Sequence, residues 1–437
     1  MSDSAAGGSA QPPQGEPGGY APSVAERFSA FQRAGGLVVP IMTTVLAFFI
    51  AGLVVLVTTG SNPLSTYRAI FEGTGLTWFF HPGSYSVHVP FTDSTVWFPF
   101  NTNGLESPPT ASSRAAYALQ QTLLLTTTLI FTGLAVAFAF RCGLFNIGGQ
   151  GQYIAGSLAA VWVGSSFASM AQFPHVVLGI AAAALAGALL AGIAGFLKAT
   201  VGAHEVVVTI MLNWIMFWTG QWLLGSDGPL NANIATSTSE DVADSGKIPT
   251  FWGLGILQGA HVGIFMGIAA LVVYAIVLNR TTLGYEVRAV GHSPDAARYG
   301  GISVARSYFL AMAIAGAFAG IGGSMDVLGW EYRVAASTIS LSTIGFLGIA
   351  VALLGRNTAI GTGLAALLFG ALLTGTSQRN LDPEVFKPEL ASNLTLLIQG
   401  LVVLFVGADL LILYAWNARK KLKRGEAPPP AQPEPAS

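Results

Sequence analysis

Hydrophobic residues run along this chain in long blocks rather than in the alternation of a half-buried strand. Ten blocks, at roughly 36–58, 117–140, 148–168, 174–197, 205–225, 259–279, 308–330, 341–355, 358–376 and 392–416, are almost free of charge. Most reach the ~20 residues that an α-helix needs to cross a hydrocarbon layer ~30 Å thick. The pattern predicts an all-α fold, a polytopic transmembrane helical bundle of about ten membrane segments. The eighth and ninth blocks are short and separated only by Gly355, Arg356 and Asn357.

Charge tests this count through the loops. With ten spans and a cytoplasmic N-terminus, the inside segments hold Arg27, Arg33, Arg141, Lys198, Arg280, Arg288, Arg298, Arg306, Arg356, Arg419, Lys420, Lys421, Lys423 and Arg424. The outside segments hold Arg68, Arg114, Lys247, Arg333, Arg379 and Lys387. That is the excess expected of cytoplasmic loops, and a span too many or too few near the middle spoils it. Both termini are therefore expected in the cytoplasm. Residues 1–35 form an N-terminal tail, 36–416 the membrane domain and 417–437 a basic, then Pro-rich tail; the ends read as disordered. The N-terminus has no short apolar signal core, so the first span should itself direct insertion.

Polar residues break the apolar blocks at informative places. "RCGLFNIGGQGQ" (141–152) sets four glycines and the amides of Asn146, Gln150 and Gln152 where a helix would otherwise continue. A second Gly-rich break, near 355–363, falls in the corresponding region of the other half. The expected bundle thus has broken or re-entrant helices in both halves. Paired breaks often mark a substrate path, because irregular backbone is tolerated only inside protein or beside water. Close helix packing through small residues is the alternative, and it accounts for "AAAALAGALLAGIAGF" (181–196). Glu205, an ionisable residue at the start of the fifth block, is a functional candidate. Asn213 lies about two turns further on the same face. Phe145 and Trp214 could stack on a ligand ring. Asp326 and Asp409 are expected nearer the interfaces, solvated or structural.

The longest internal loop, 280–307, carries its own punctuation. Ser293 can cap a helix, Pro294 suits its first position, Asp295 favours its positive end and Gly300-Gly301 stop it. This predicts a helix of about six residues, roughly 9 Å long, in a loop rich in arginine. Two external segments are long. Residues 59–116 include "TWFFHPGSYSVHVPFTDSTVWFPF", and 226–258 are polar and mildly acidic. They are expected either to fold over at the interface, where Trp and Phe are favoured, or to dock an external partner.

"GYEVRAVGHSPDAARYGGISVARS" (284–307) closely resembles the coupling-loop signature of the ABC importer permeases for branched-chain amino acids, simple sugars and nucleosides. Gly284, Arg288, Ala289, Gly291, Pro294, Ala296, Ala297, Gly301 and Ile302 fall on the family pattern. "GLAVAFAFRCGLFNIGGQGQYIAGSLAA" (133–160) and "EVVVTIMLNWI" (205–215) look like the nucleoside branch. "GFLGIAVALLGRNTAIGTGLAALLFG" (345–370) and "SNPLSTYRAIFEG" (61–73) extend the likeness over about 36–416. The chain departs from the pattern at Gln150 (usually Glu), His204 (usually Asn) and Leu347 (often polar), and its insertion around 75–112 is longer. The resemblance implies a permease subunit whose short loop helix docks on a cytoplasmic ATP-binding subunit, with Arg298 among the coupling residues. It implies a second, related permease chain and an extracytoplasmic substrate-binding lipoprotein. It places the chain in a bacterial cytoplasmic membrane, with ATP and Mg held by the partner ATPase.

Composition narrows the chemistry. Of 437 residues 52% are hydrophobic and 9% charged, against about 25% charged in a soluble chain. The single cysteine, Cys142, excludes an internal disulfide and a cysteine metal cluster. The six histidines are scattered, so no metal site is expected. There is no GxxxxGK[ST] phosphate loop and no nucleophile–base pair. The chain is thus expected to be a transport subunit and not an enzyme, with no cofactor of its own and nothing directed at nucleic acid. Neutral amides along the path suit a small polar substrate such as a nucleoside. A simple sugar or branched-chain amino acid is the alternative within the family. A secondary, ion-coupled carrier is the alternative outside it.

Overall fold

The computed structural model describes residues 44–57, 62–88, 95–101, 110–252, 259–377, 396–398, 400, 401 and 404. Both predicted tails, Asp409 and most of the predicted last span lie outside the described residues. The protein is mostly helical, and six of the described helical segments are long and apolar enough to cross a membrane. They are α3 (Ala111–Arg141), α5 (Gln172–Val201), α6 (Glu205–Leu223), α7 (Gly263–Arg280), α10 (Val304–Asp326, continued to Glu331 by a π-helical turn) and Ala336–Leu354. The last is α11 (Ala336–Leu341) and α12 (Ile344–Leu354) with a break at Ser342-Thr343. Two shorter apolar helices join them, α1 (Thr44–Val57) and α13 (Ala359–Gly375). α2 (Pro63–Gly73) follows α1.

The predicted third span is α4 (Gly149–Ser166), and it is less apolar than a lipid-facing helix. Its first turn is Gly149, Gln150, Gly151 and Gln152, and most of its residues are buried in protein. Polar groups are tolerated there because α5, α6 and α10 surround them.

α3 is the axis of the bundle. Thr110 and Ser113 start it with a capping box, each hydroxyl accepting from the other residue's N–H, at 3.2 Å and 2.9 Å. At ~1.5 Å per residue it is about 46 Å long, and α10, α12 and α13 wrap it. α5 and α10 approach backbone to backbone: a Cβ on Gly187 would meet the Gly316 carbonyl at 2.1 Å, and one on Gly320 the Ala183 carbonyl at 2.1 Å. The glycine-alanine run 181–196 is therefore a packing surface.

The all-α expectation needs a correction on the side assigned outside. β1 (Pro82–His88) pairs antiparallel with β2 (Thr95–Phe100), and β3 (Thr250–Trp252) with β4 (Ala260–His261). These ribbons give the aromatic stretch a core of its own. The Trp78 ring lies 4.5 Å from Phe100 and 4.8 Å from Trp252, and its Nε1–H donates to the Asn101 carbonyl at 2.7 Å. The second external segment is sewn down. The N–H groups of Ser239, Val242 and Ile248 donate to the carbonyls of Val334, Tyr332 and Leu328 at 2.9, 2.8 and 2.8 Å. The described parts of both segments fold over onto the protein.

Candidate functional site

The break between α3 and α4 is built from amides, but those amides are already engaged. Asn146 and Gln152 bond each other reciprocally, Nδ2 to Oε1 and Nε2 to Oδ1, both at 2.9 Å. The Asn146 Oδ1 also accepts from the Gly148 N–H at 3.0 Å. Asn213 reaches across from α6: its Oδ1 accepts from the Gly151 N–H at 2.8 Å and its Nδ2 donates to the Ile147 carbonyl at 2.9 Å. Gly148, the cap position of α4, has no side chain to do this, so α6 supplies the cap from outside. Gln150 holds the other interruption: its Nε2 donates to the Ser342 carbonyl and its Oε1 accepts from the Gly345 N–H, both at 2.9 Å. Backbone groups that would be orphaned in hydrocarbon thus meet side chains.

The two aromatic candidates stand apart from this network. Phe145 lies half-buried against Phe140, ring centroids 4.9 Å apart. Trp214 is 56% exposed on the outer face of α6, because neighbours on a helix point ~100° apart and Asn213 takes the inner face. Glu205 pairs with Lys198 Nζ at 2.8 Å, joining the start of α6 to the end of α5. The structure does not bring it to Asn213, about 12 Å along the helix.

The short loop helix forms as its punctuation dictates. α9 (Pro294–Tyr299) follows α8 (Thr282–His292). Ser293 Oγ accepts from the Ala296 N–H at 3.3 Å, Pro294 opens the helix, and Gly301 leaves it at φ +83°. Ala297 is buried against the protein, while Pro294, Asp295, Ala296, Arg298 and Tyr299 face outward. Arg298 lies 3.6 Å from Asp295 on that exposed face. Arg288 is exposed and donates to the Gly284 carbonyl one turn back at 3.2 Å. Gly284 and Gly291 are packing points. A Cβ on Gly284 would meet the Val277 carbonyl of α7 at 2.1 Å, and one on Gly291 the Arg141 carbonyl at 2.3 Å. The loop therefore rests directly on the start of the α3–α4 break. Cys142 is buried beside it, and burial pushes its thiol up to about 12.

Two features of the interior were not read as such in the sequence: the partners of Arg141 and those of Asp326. Arg141 donates through Nε and Nη2 to the Asn357 carbonyl at 3.1 and 2.7 Å, and the Tyr274 hydroxyl joins them at 2.8 Å. One break thereby fastens the other. Asp326, expected to be solvated or structural, is completely buried. It accepts from Tyr153 Oη at 2.6 Å, Trp330 Nε1 at 2.9 Å and the Thr128 hydroxyl. A buried carboxylate needs such donors, which makes it structural rather than solvated. An acidic residue inside an apolar run was the available signal. Among the described residues, no cluster of three or more His, Cys, Asp or Glu side chains could hold a metal.

A helical membrane bundle with stapled breaks and a capped loop helix resting on one of them has the build of a transport permease. Residues 118–407 match the family described as branched-chain amino acid transport system / permease component, and the chain belongs to it. It is 37% identical over 313 residues to the guanosine ABC transporter permease protein NupP of Bacillus subtilis, covering 70% of this chain and 85% of that one. It is 34% identical over 320 residues to the nucleoside ABC transporter permease protein NupB of Lactococcus lactis, covering 72% and 85%. It is 33% identical over 300 residues to the glucose ABC transporter permease protein TsgB13 of Haloferax volcanii, covering 66% and 76%. The same Bacillus and Lactococcus strains each supply a second permease relative, NupQ and NupC, at 28% identity. No solved structure matches the chain. The protein is a multi-pass membrane permease subunit of an ABC transporter, a transport component and not an enzyme.

Proposed function

We propose that this chain is one permease half of an importer that carries nucleosides, driven by a separate ATPase that holds ATP and Mg. The observation that carries the reading is the contact of Gly291 with the backbone at Arg141 and Cys142. A push on α9 passes through α8 to the α3–α4 break with no flexible linker between. The coupling face is Pro294, Asp295, Ala296, Arg298 and Tyr299; Gly284, Arg288, Gly291, Ala297 and Gly301 shape and seat it. The names of NupP and NupB support nucleosides as the substrate. TsgB13 supports a simple sugar as the second reading.

The substrate path follows the wall formed by Phe145, Asn146, Gln150, Gln152 and Asn213. Their amides hold the gap open and in shape, because their hydrogen bonds are spent on one another and on backbone. Glu205 guards the inner end of that wall through Lys198, and Trp214 faces a second, related permease chain across the path. Paired names in two organisms (NupP with NupQ, NupB with NupC) support such a pair. The folded-down external segments receive a substrate-binding lipoprotein. Ten spans with both termini in the cytoplasm of a bacterium satisfy the loop charges.

The test is uptake of labelled guanosine, glucose and leucine by cells with and without the permease. Loss of guanosine uptake alone is expected. Loss of glucose uptake alone replaces the nucleoside reading by the sugar one, and unchanged uptake of all three sinks both.

A further inference from the structure

Asp326 and Glu331 sit five residues apart around the π-helical turn, and they differ in what they touch. Asp326 has three donors. Among the described residues, the Glu331 carboxylate has neither a hydrogen bond nor an ion pair. It lines a small cleft, part of it open to solvent, together with Tyr153, Ser157, Thr338, Ile339 and Ser342. The Ser342 hydroxyl is buried with no partner. The cleft walls are fixed: Tyr153 is held by Asp326 at 2.6 Å, and Ser342 by Gln150 at 2.9 Å through its carbonyl. The cleft therefore lies above the interruption that Gln150 staples, and the sewn-down external segment borders it through Tyr332 and Val334.

A carboxylate without a protein donor, beside a buried hydroxyl without a partner, leaves hydrogen-bonding capacity that no described protein group meets. Leaving such groups unmet is unfavourable, so the arrangement fits a ligand that brings donors. We propose that Glu331, with the Ser342 hydroxyl, is a substrate contact at the outer end of the path, and that it takes a pair of adjacent O–H or N–H donors on a neutral ligand. A carboxylate accepts two neighbouring donors at once. On a nucleoside the pair is either the ribose 2′,3′-diol or the N–H edge of guanine. The identity of the ligand rests on the nucleoside reading above; the donor-pair chemistry also fits a sugar.

The test uses the complete transporter, with its ATPase, permease chains and binding component, reconstituted in proteoliposomes. Uptake rates at saturating guanosine, 2′,3′-dideoxyguanosine, inosine and glucose are compared for the wild type, Glu331→Gln and Ser342→Ala. Glu331→Gln keeps the shape but replaces one acceptor by a donor. It is expected to slow uptake of the preferred substrate roughly ten- to a hundredfold, and Ser342→Ala less. A wild-type preference for guanosine over the dideoxy analogue that collapses in Glu331→Gln identifies the diol. A collapsed preference over inosine identifies the guanine edge. Should the wild type carry glucose and no nucleoside, the nucleoside reading fails, and the contact stands or falls on whether Glu331→Gln slows glucose. Wild-type rates and preferences in a Glu331→Gln transporter of normal yield overturn the proposal. If Glu331→Gln fails to assemble, unchanged preferences in Ser342→Ala overturn it instead.

Discussion

Two of the breaks in this bundle solve one physical problem in different ways. At 142–148, between α3 and α4, the interrupted backbone is met by the neutral amides of Asn146 and Asn213, with Gln152 holding Asn146 in place. At 355–358, between α12 and α13, it is met by a cation: Arg141 and Tyr274 both donate to the Asn357 carbonyl. Arg356 and Asn357 are left-handed there, at φ +51° and +53°. The second break borrows its clamp from the last residue of α3. The first break is also the one on which the 280–307 loop rests. A disturbance at the loop should therefore reach the first break and, through Arg141, the second.

That order can be broken at the point of entry. Gly291→Ala puts a Cβ 2.3 Å from the Arg141 carbonyl, a backbone atom that no rotamer change can move aside. It should have the largest effect of these variants, about 3 kcal/mol or more, with uptake falling at least tenfold. Gly301→Ala is the control on the same loop, since nothing lies within 4 Å of its Cβ position; only its φ of +83° opposes it. Equal uptake in the two variants would refute a route through Gly291. Arg141→Met should come next, about 2 kcal/mol by melting in detergent, because it removes two charge-assisted bonds from a partly buried carbonyl. The α12–α13 break should loosen more than the α3–α4 break, which hydrogen exchange at Asn357 and Gly148 can compare.

Asn146 and Gln152 test the amide solution itself. Asn146→Ala strands both polar atoms of Gln152 and the Gly148 N–H, an expected loss of about 2 kcal/mol. Because the pair is reciprocal, the double variant with Gln152→Leu should cost clearly less than the sum of the singles. Additive losses would mean the two amides have other partners.

What the sequence made legible was local. Ser293, Pro294, Asp295 and Gly301 lie within ten residues of one another, and they fix α9 at its ends. The apolar blocks place α3, α5, α6, α7 and α10 for the same reason, since length and composition are properties of a segment. What stayed hidden depends on distant partners. The donors to Asp326 include Thr128 and Tyr153, 198 and 173 residues away, so the choice between a solvated and a structural acid could not be read from its neighbours. The amides of 146–152 looked available to a ligand because Asn213 and the Ser342 carbonyl are invisible from their neighbourhood. The strands of the aromatic stretch were missed because membrane-interface aromatics and a small aromatic core read alike in composition.

The smallest expected difference separates a local cap from a borrowed one. Thr358 caps α13 in the usual way, its hydroxyl accepting from the Gly361 N–H at 3.2 Å. Thr358→Ala should cost about 1 kcal/mol, the ordinary value for losing a cap, and should leave uptake unchanged once melting is allowed for. Asn213 does the same for α4, at Gly151, but from another helix, and it also holds the Ile147 carbonyl. Asn213→Ala should therefore cost more than Thr358→Ala, and it should slow uptake in proportion to the freedom given to the first break. Asn213→Asp separates the two contacts. It keeps the acceptor for Gly151 but turns a second oxygen toward the Ile147 carbonyl, so it should behave worse than alanine at neutral pH. A variant as mild as Thr358→Ala would show that α6 only packs against the break without holding it.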